Sequence, residues 1–207
     1  MKIKNIPSGS LFVNTYFTYD EDTGKGFIVD PGGPSEAGMN FIEESGMSPE
    51  YIILTHGHDD HIGGIASYQK AFPDIKLIAH EDEAEMLSNP EMNHSYLSTP
   101  GGIMPKPDIL VKDGEEMKVG NMQLKFIHTP GHTPGGMCIL VDDAVLFSGD
   151  TLFKASIGRT DFIGGSYDQL ISSIRDKLFK LKDDLLVLPG HMEHTSIGFE
   201  KENNPFV

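Results

Sequence analysis

Tyr51-Ile52-Ile53-Leu54-Thr55-His56-Gly57-His58-Asp59-Asp60-His61 joins a compact apolar run to three histidines and two aspartates packed into six residues. A short Ile/Leu run bounded by turn residues reads as a buried strand. The polar cluster therefore stands at a strand end, where a rigid scaffold presents loop-borne chemistry. In an extended turn, residues two apart point the same way, so His56 and His58 can offer neutral imidazoles to one metal ion. Asp60 and His61 fall where a helix should begin and can face a second ion. Gly57 is expected to let the backbone bend between the first two ligands. A solvated polar loop gives no reason for three imidazoles to crowd together.

Further candidates stand at other strand ends: His132 in Thr129-Pro130-Gly131-His132-Thr133, Asp150 in Ser148-Gly149-Asp150-Thr151, and His191 in Pro189-Gly190-His191. Asp150 suits a bridging position, because its two oxygens can reach two cations and its charge offsets their repulsion.

Working outward, strand-like and helix-like segments alternate with no long linker, which predicts one domain over residues 1–207. Residues 2–20 read as two strands about a turn at Pro7–Gly9, and 26–30 as a third. A short helix should run from Pro34 to Glu44 and stop at Gly46. Another is expected over 62–71, followed by a strand at 76–80 and a short acidic helix at 81–88. Residues 89–107 hold four prolines and two adjacent glycines, the composition of an ordered loop or lid. Strands are expected at 121–129, 137–143 and 144–150. Ser166 and Gln169 have capping-box spacing, and Tyr167, Leu170, Ile171, Ile174 and Leu178 share one helical face. The run Leu185–His191 is expected to close the chain as a strand. Two sheets, each covered by helices, would make an αββα sandwich, an α/β (α+β) fold.

Composition narrows the function. The 207 residues are 38% hydrophobic and 9% aromatic, enough for one sizeable core. No apolar run approaches the length that spans a bilayer, and Met1–Ser10 lacks the apolar segment of a signal peptide. A cytoplasmic protein with no membrane partner is expected. The single cysteine excludes an intrachain disulfide, a Cys-rich zinc site and an iron–sulfur cluster; Cys138, in Met-Cys-Ile-Leu-Val, reads as a small buried hydrophobe. A net charge of −15 with scattered lysines and arginines argues against nucleic acid as a partner. That leaves a small-molecule substrate, with oligomeric state open.

The set Thr55–His61, Thr129–Thr133, Ser148–Thr151 and Pro189–His191 resembles the metallo-β-lactamase superfamily. The resemblance runs from Asn14-Thr15-Tyr16 and Ile28–Gly33 to Ile197–Phe206. It implies the four-layer αββα fold. Carried over residue by residue, it assigns His56, His58 and His132 to a first metal, Asp60, His61 and His191 to a second, and Asp150 to the bridge. His80, His94, His128 and His194 match no ligand position. His128 reads as structural, His94 as a lid residue able to touch substrate, and His194 as a candidate donor to a ligand.

Two divalent cations, zinc foremost with iron and manganese also suited, would hold a bridging water and lower its pKa towards neutrality. Asp60 would orient that nucleophile as the catalytic carboxylate, with no serine or cysteine nucleophile. Gly149–Ser166 is similar to the matching segment of hydroxyacylglutathione hydrolases (glyoxalase II), which implies hydrolysis of a thioester by the bridging hydroxide. It places Arg159 on a loop near the metals as a candidate for binding substrate, although an Arg159–Asp161 ion pair would also explain the segment. In the best-known β-lactamase subclass a cysteine takes the place of Asp150, so that activity is not expected. The sequence ends at Val207, without the basic C-terminal helical region that grips glutathione, and weak glutathione affinity is expected. The alternatives on the same scaffold are a mononuclear-iron persulfide dioxygenase, and a lactonase with Met92, Tyr96 and Met104 forming an apolar lid.

Overall fold

The first seven-residue strands show how local sequence sets the frame. β1 (Lys2–Ser8) and β2 (Val13–Tyr19) form an antiparallel hairpin in the computed structural model, which describes residues 1–207. Ser8 pairs with Val13 and Pro7 with Asn14, so the reversal lies at residues 9–12 and not at Pro7–Gly9. β1 is an edge strand, where a proline costs no ladder hydrogen bond. Gly9, at φ +73°, makes the turn, and a side chain there would strike the backbone of Gly32.

β3 (Lys25–Val29) pairs antiparallel to β2, after which the direction changes. β4 (Ser48–Ile53), β5 (Lys76–His80) and β6 (Ile109–Val111) add in parallel, giving the sheet order β1-β2-β3-β4-β5-β6. Parallel neighbours need crossovers, and helices stand in all three of them. α1 (Glu36–Ser45) is capped by the Ser35 side chain, which accepts from the Gly38 amide, and ends at Gly46 in the left-handed conformation. The helix expected over 62–71 is two pieces, α2 (Asp59–Ile62) and α3 (Ile65–Ala71), parted at Gly63-Gly64. Both glycines lie against the backbone of residues 31–33 too closely for a side chain. α4 (Ala84–Ser88) follows a turn of 3₁₀ helix at Glu81–Glu83.

The second sheet runs β14-β13-β10-β9-β8-β7. Its strands are β7 (Glu116–Val119), β8 (Met122–His128), β9 (Met137–Val141), β10 (Val145–Gly149), β13 (Leu186–Pro189) and β14 (Thr195–Ser196). A small hairpin, β11 (Leu152–Phe153) with β12 (Ser156–Ile157), stands apart from it. The chain does not close on the strand before His191: β14 and α6 (Ile197–Asn203) follow, and of that helix only Ile197 and Glu200 are buried. α5 (Tyr167–Asp176) begins at the Ser166 cap, as its sequence predicts. Leu170, Ile171 and Ile174 turn inward, whereas Tyr167 is half exposed and its hydroxyl donates to the Phe206 carbonyl at 3.3 Å.

Strand alternation sorts the apolar residues into layers. Phe27, Val29 and Ile53 meet Phe126, Ile139 and Phe147 between the sheets. Ile28, Ile52 and Leu54 face Ile42, Ile65 and Tyr68 on the helical side of the first sheet. Cys138, Leu146 and Val187 face Leu170, Ile174 and Ile197 on the outer side of the second. This is the expected αββα sandwich. Burial pushes the Cys138 thiol up to about 11, so it behaves as an apolar filler. No helix is long and apolar enough to cross a membrane.

The sheets are latched at one edge. The Asn14 amide donates to the carbonyls of Pro189 and Met192, both at 3.0 Å, and the Tyr16 hydroxyl donates to Pro189 at 2.8 Å. β2 thereby fixes the end of β13, which carries His191. Phe147, fully buried between the sheets, packs on Tyr16 with ring centroids 5.2 Å apart and edge-on to Phe27 at 6.1 Å. Phe147→Ala is expected to cost about 3–5 kcal/mol, read as a lower urea midpoint with an unchanged slope.

Candidate metal centre

Thr55–His61 leaves the end of β4, and its side chains turn into the seam between the sheets. The loops after β8, β10 and β13 bring His132, Asp150 and His191 to the same place. Ligand-type atoms gather in two groups, His56 with His58 and His132, and Asp60 with His61 and His191. In the first, His58 Nδ1 and His56 Nε2 approach His132 Nε2 at 2.9 and 3.2 Å. In the second, His191 Nε2 and His61 Nε2 lie 3.0 and 3.7 Å from Asp60 Oδ2. Asp150 stands between them: its Oδ1 lies 3.4 Å from His61 Nε2, and its Oδ2 lies 3.7 Å from His132 Nε2 and 3.8 Å from His191 Nε2.

Hydrogen bonds on the outer side fix which nitrogen three of the rings turn inward. His132 Nδ1 donates to the Arg159 carbonyl at 2.7 Å, and His61 Nδ1 pairs with Asp30 Oδ2 at 2.9 Å. His56 Nδ1 meets the Thr55 hydroxyl at 3.1 Å. Each contact leaves Nε2 free to face the centre, the arrangement that orients imidazoles around a metal.

Electrostatics point the same way. Burial, reinforced by the neighbouring imidazoles, lowers the basicity of His56 and carries His58 down to about 3. His132 is lowered too, chiefly by burial. All three are therefore neutral donors at physiological pH. Burial opposes charge on His61, Asp60 and Asp150 as well, yet their mutual attraction prevails. Asp60, Asp150 and Asp30 raise His61 well above its usual value, while His61 and His191 hold Asp60 low and His61 and His132 hold Asp150 low. The ion-pair partners of these three aspartates are all histidines. His58 Nε2, His61 Nε2 and Asp150 Oδ1 are buried with no hydrogen-bond partner. A donor set of neutral imidazoles and carboxylates, with orphaned buried atoms and no lysine or arginine to balance them, fits two divalent cations.

The seven residues singled out as ligands thus converge. Gly57 serves differently than expected: its backbone is ordinary, but an added Cβ would meet Leu87 at 2.9 Å and Glu83 at 3.2 Å, so it permits close packing and not a bend. Arg159 lines the cavity above the centre, with its side chain engaged by Asp161 through bonds of 2.8 and 2.7 Å. His94 lines the same cavity. His128 stacks on His80 at 3.9 Å and bonds the Pro134 carbonyl, a structural role. His194 is exposed in a surface groove beside Ile3 and Asn5.

Two acids that sequence reasoning missed organise the loops. Asp30, 1% exposed, accepts from the Thr55 amide and hydroxyl at 2.8 and 2.6 Å as well as pairing with His61. Glu83, fully buried, accepts from the Gly57 amide at 2.7 Å with one oxygen. Its other oxygen accepts from the Thr133 hydroxyl at 3.0 Å and the Gly135 amide at 2.7 Å. Burial pushes the Glu83 carboxyl up to about 7, against the pull of these three donors. This single side chain joins the loop of His56 and His58 to the loop of His132.

Comparisons with known proteins agree with the fold. The family model described as metallo-beta-lactamase superfamily matches residues 9–191. The chain is 37% identical to a Bacillus subtilis protein named "Probable metallo-hydrolase YqgX", over all of this chain and 98% of that one. It is 35% identical to hydroxyacylglutathione hydrolase GloC of Haemophilus influenzae, again over all of this chain and 98% of that one. Among solved structures it is similar to the BLEG-1 B3 metallo-beta-lactamase, with TM-score 0.91, 38% identity and 99% of each chain covered. It is also similar to TTHA1623 in a di-iron-bound form, with TM-score 0.84, 29% identity, and 99% of this chain and 100% of that one covered.

Glu83→Gln would place an amide NH₂ against backbone or hydroxyl donors. It is expected to weaken zinc binding about 10- to 100-fold, measured by competition with a chromophoric chelator, while the circular dichroism of the fold is retained.

Proposed function

Since the chain belongs to the metallo-beta-lactamase superfamily, a family of metallo-hydrolases, we propose that residues 1–207 form a single catalytic domain that hydrolyses acyl thioesters at a two-metal centre. His56, His58 and His132 would hold one ion, Asp60, His61 and His191 the other, and Asp150 would bridge. The observation that carries this reading is the position of Asp150, one oxygen towards His61 and the other towards His132. The gathering of Asp60, His61 and His191 into a second donor set favours two ions over a mononuclear iron centre.

When bound, the cations would supply the acidity that makes water nucleophilic at neutral pH and the positive charge that a developing oxyanion needs. The protein's own groups do the rest. Asp60 lines the cavity, is held against His191, and stays ionised, so it can accept a hydrogen bond from the attacking water and orient it. The outward bonds to Thr55, Asp30 and the Arg159 carbonyl keep the imidazoles from rotating as charge develops. Cys138 is buried beneath the second sheet with a raised pKa, which leaves the attack to water. The relative named hydroxyacylglutathione hydrolase supports thioesters as the substrate class, and the likeness to a B3 metallo-beta-lactamase makes a β-lactam the comparison substrate. Arg159 is proposed as part of the substrate-binding wall.

Purified protein is expected to hold about two divalent ions per chain, zinc first, and to hydrolyse acyl thioesters faster than a cephalosporin. About one iron per chain with oxygen consumption would overturn the hydrolase. Asp60→Asn is expected to lower kcat about 100-fold or more, and Asp150→Ala to lose both activity and bound metal.

A further inference from the structure

The cavity over the centre encloses about 580 Å³. The polar groups of Asp60, His132, Asp150 and His191 line it, and so do exposed apolar side chains. Leu11, Leu97, Ile157, Phe162 and Met192 line it, and they come from several separate stretches of the chain. Leu11 is 63%, Leu97 71% and Met192 60% exposed, a solvent-facing apolar collar of the kind that marks a binding surface. Their chain neighbours Phe12, Tyr96 and Ile163 are exposed as well.

Backbone conformation adds a second, independent observation. Phe12, His94 and Met192, all beside or within the collar, hold φ of +54°, +65° and +68°. Non-glycine residues reach that region only against steric cost, and such residues gather at ligand-binding sites.

Charge gives the third. Arg159 is the one lysine or arginine that lines the cavity, and Asp161 takes its guanidinium in a two-pronged pair. The same guanidinium lies over the Phe162 ring at 3.9 Å, and Phe162 packs against His94 at 4.5 Å and His58 at 5.4 Å. Phe162 and Arg159 both line the cavity, with the guanidinium already paired to Asp161. Asp59 adds negative charge at the lining, and the whole chain carries −15. A substrate bearing carboxylates on its far end would meet repulsion there and find no free cation.

We propose that the non-reacting part of the substrate is uncharged and apolar, so that this site selects acyl thioesters with a hydrocarbon group over those of an anionic thiol. The inference rests on the thioester reading above for its chemistry, though not for the collar itself. Calorimetry on the zinc-loaded protein, with acetate, hexanoate and glutathione as probes, tests the collar without turnover. Hexanoate is expected to bind about tenfold or more tightly than acetate, and glutathione more weakly than hexanoate. In parallel, the hexanoyl thioester of N-acetylcysteamine or the acetyl thioester of benzyl mercaptan is expected to exceed acetyl-N-acetylcysteamine in kcat/KM by about tenfold, with S-lactoylglutathione below all three. Leu97→Asp and Met192→Asp, made separately on the exposed rim, are each expected to bring the hexanoate-to-acetate ratio close to one. Equal binding of hexanoate and acetate, or tighter binding of glutathione, overturns the proposal even if thioesters are cleaved. A hexanoate preference in a protein that cleaves no thioester upholds the collar and defeats the thioester reading instead. A change in molecular mass in the two variants, with ligand selectivity intact, would assign the collar to a subunit contact and also overturn it.

Discussion

A carboxylate with no water around it must find donors or lose its charge, and Glu83 finds three, from two loops that lie far apart in the chain. Because those loops carry His56, His58 and His132, the demand of one buried group for hydrogen bonds sets the spacing of three imidazoles. Asp30 does the same on the other side, holding the Thr55 backbone and the outer nitrogen of His61. Removing either acid would strand several donors at once in the seam. The precision of the centre therefore derives from desolvated acids outside it, more than from the ligands themselves.

The sandwich is what allows such acids to exist. Strands β4, β8, β10 and β13 stop at one edge, where Asn14 and Tyr16 lock the end of β13 to the first sheet. Three apolar layers exclude water from below, so His56, His58 and His132 are stripped of solvent and stay neutral. Above them the cavity opens through exposed loops. Chemistry and recognition are thus divided by depth: rigid strand ends below, loop residues above.

Much of this is written locally in the chain. His56-x-His58-x-Asp60-His61 is legible because the strand before it and the spacing within it are both short-range, and the other ligands are legible as strand-end residues once the family resemblance is seen. Period-2 and period-3.6 apolar patterns gave the layers and the Ser166-capped helix. Other features have no local signature. Glu83 is one acid among many in an acidic stretch, and its partners stand 26, 50 and 52 residues away, two of them main-chain groups with no side-chain identity to read. β14 has two residues and α6 buries only two of its seven, too little for a periodic signal. Pro7 suggested a turn, but an edge strand tolerates it. Tyr167 fits the apolar face by spacing, while the position of the chain end draws its hydroxyl outward.

The ligand set is divided between the two halves of the molecule. His56, His58, Asp60 and His61 hang from the first sheet, while His132, Asp150 and His191 hang from the second. Each half has its own helical backing, so ions held at the seam by the proposed ligands would act as rivets between two plates, each joined to both. Binding free energy spent on the ions is then also cohesion between the halves. Cooperativity of unfolding would then become a function of metal supply: with the rivets in place the chain would give way as one unit, and a chelator would convert a question of catalysis into one of mechanical integrity.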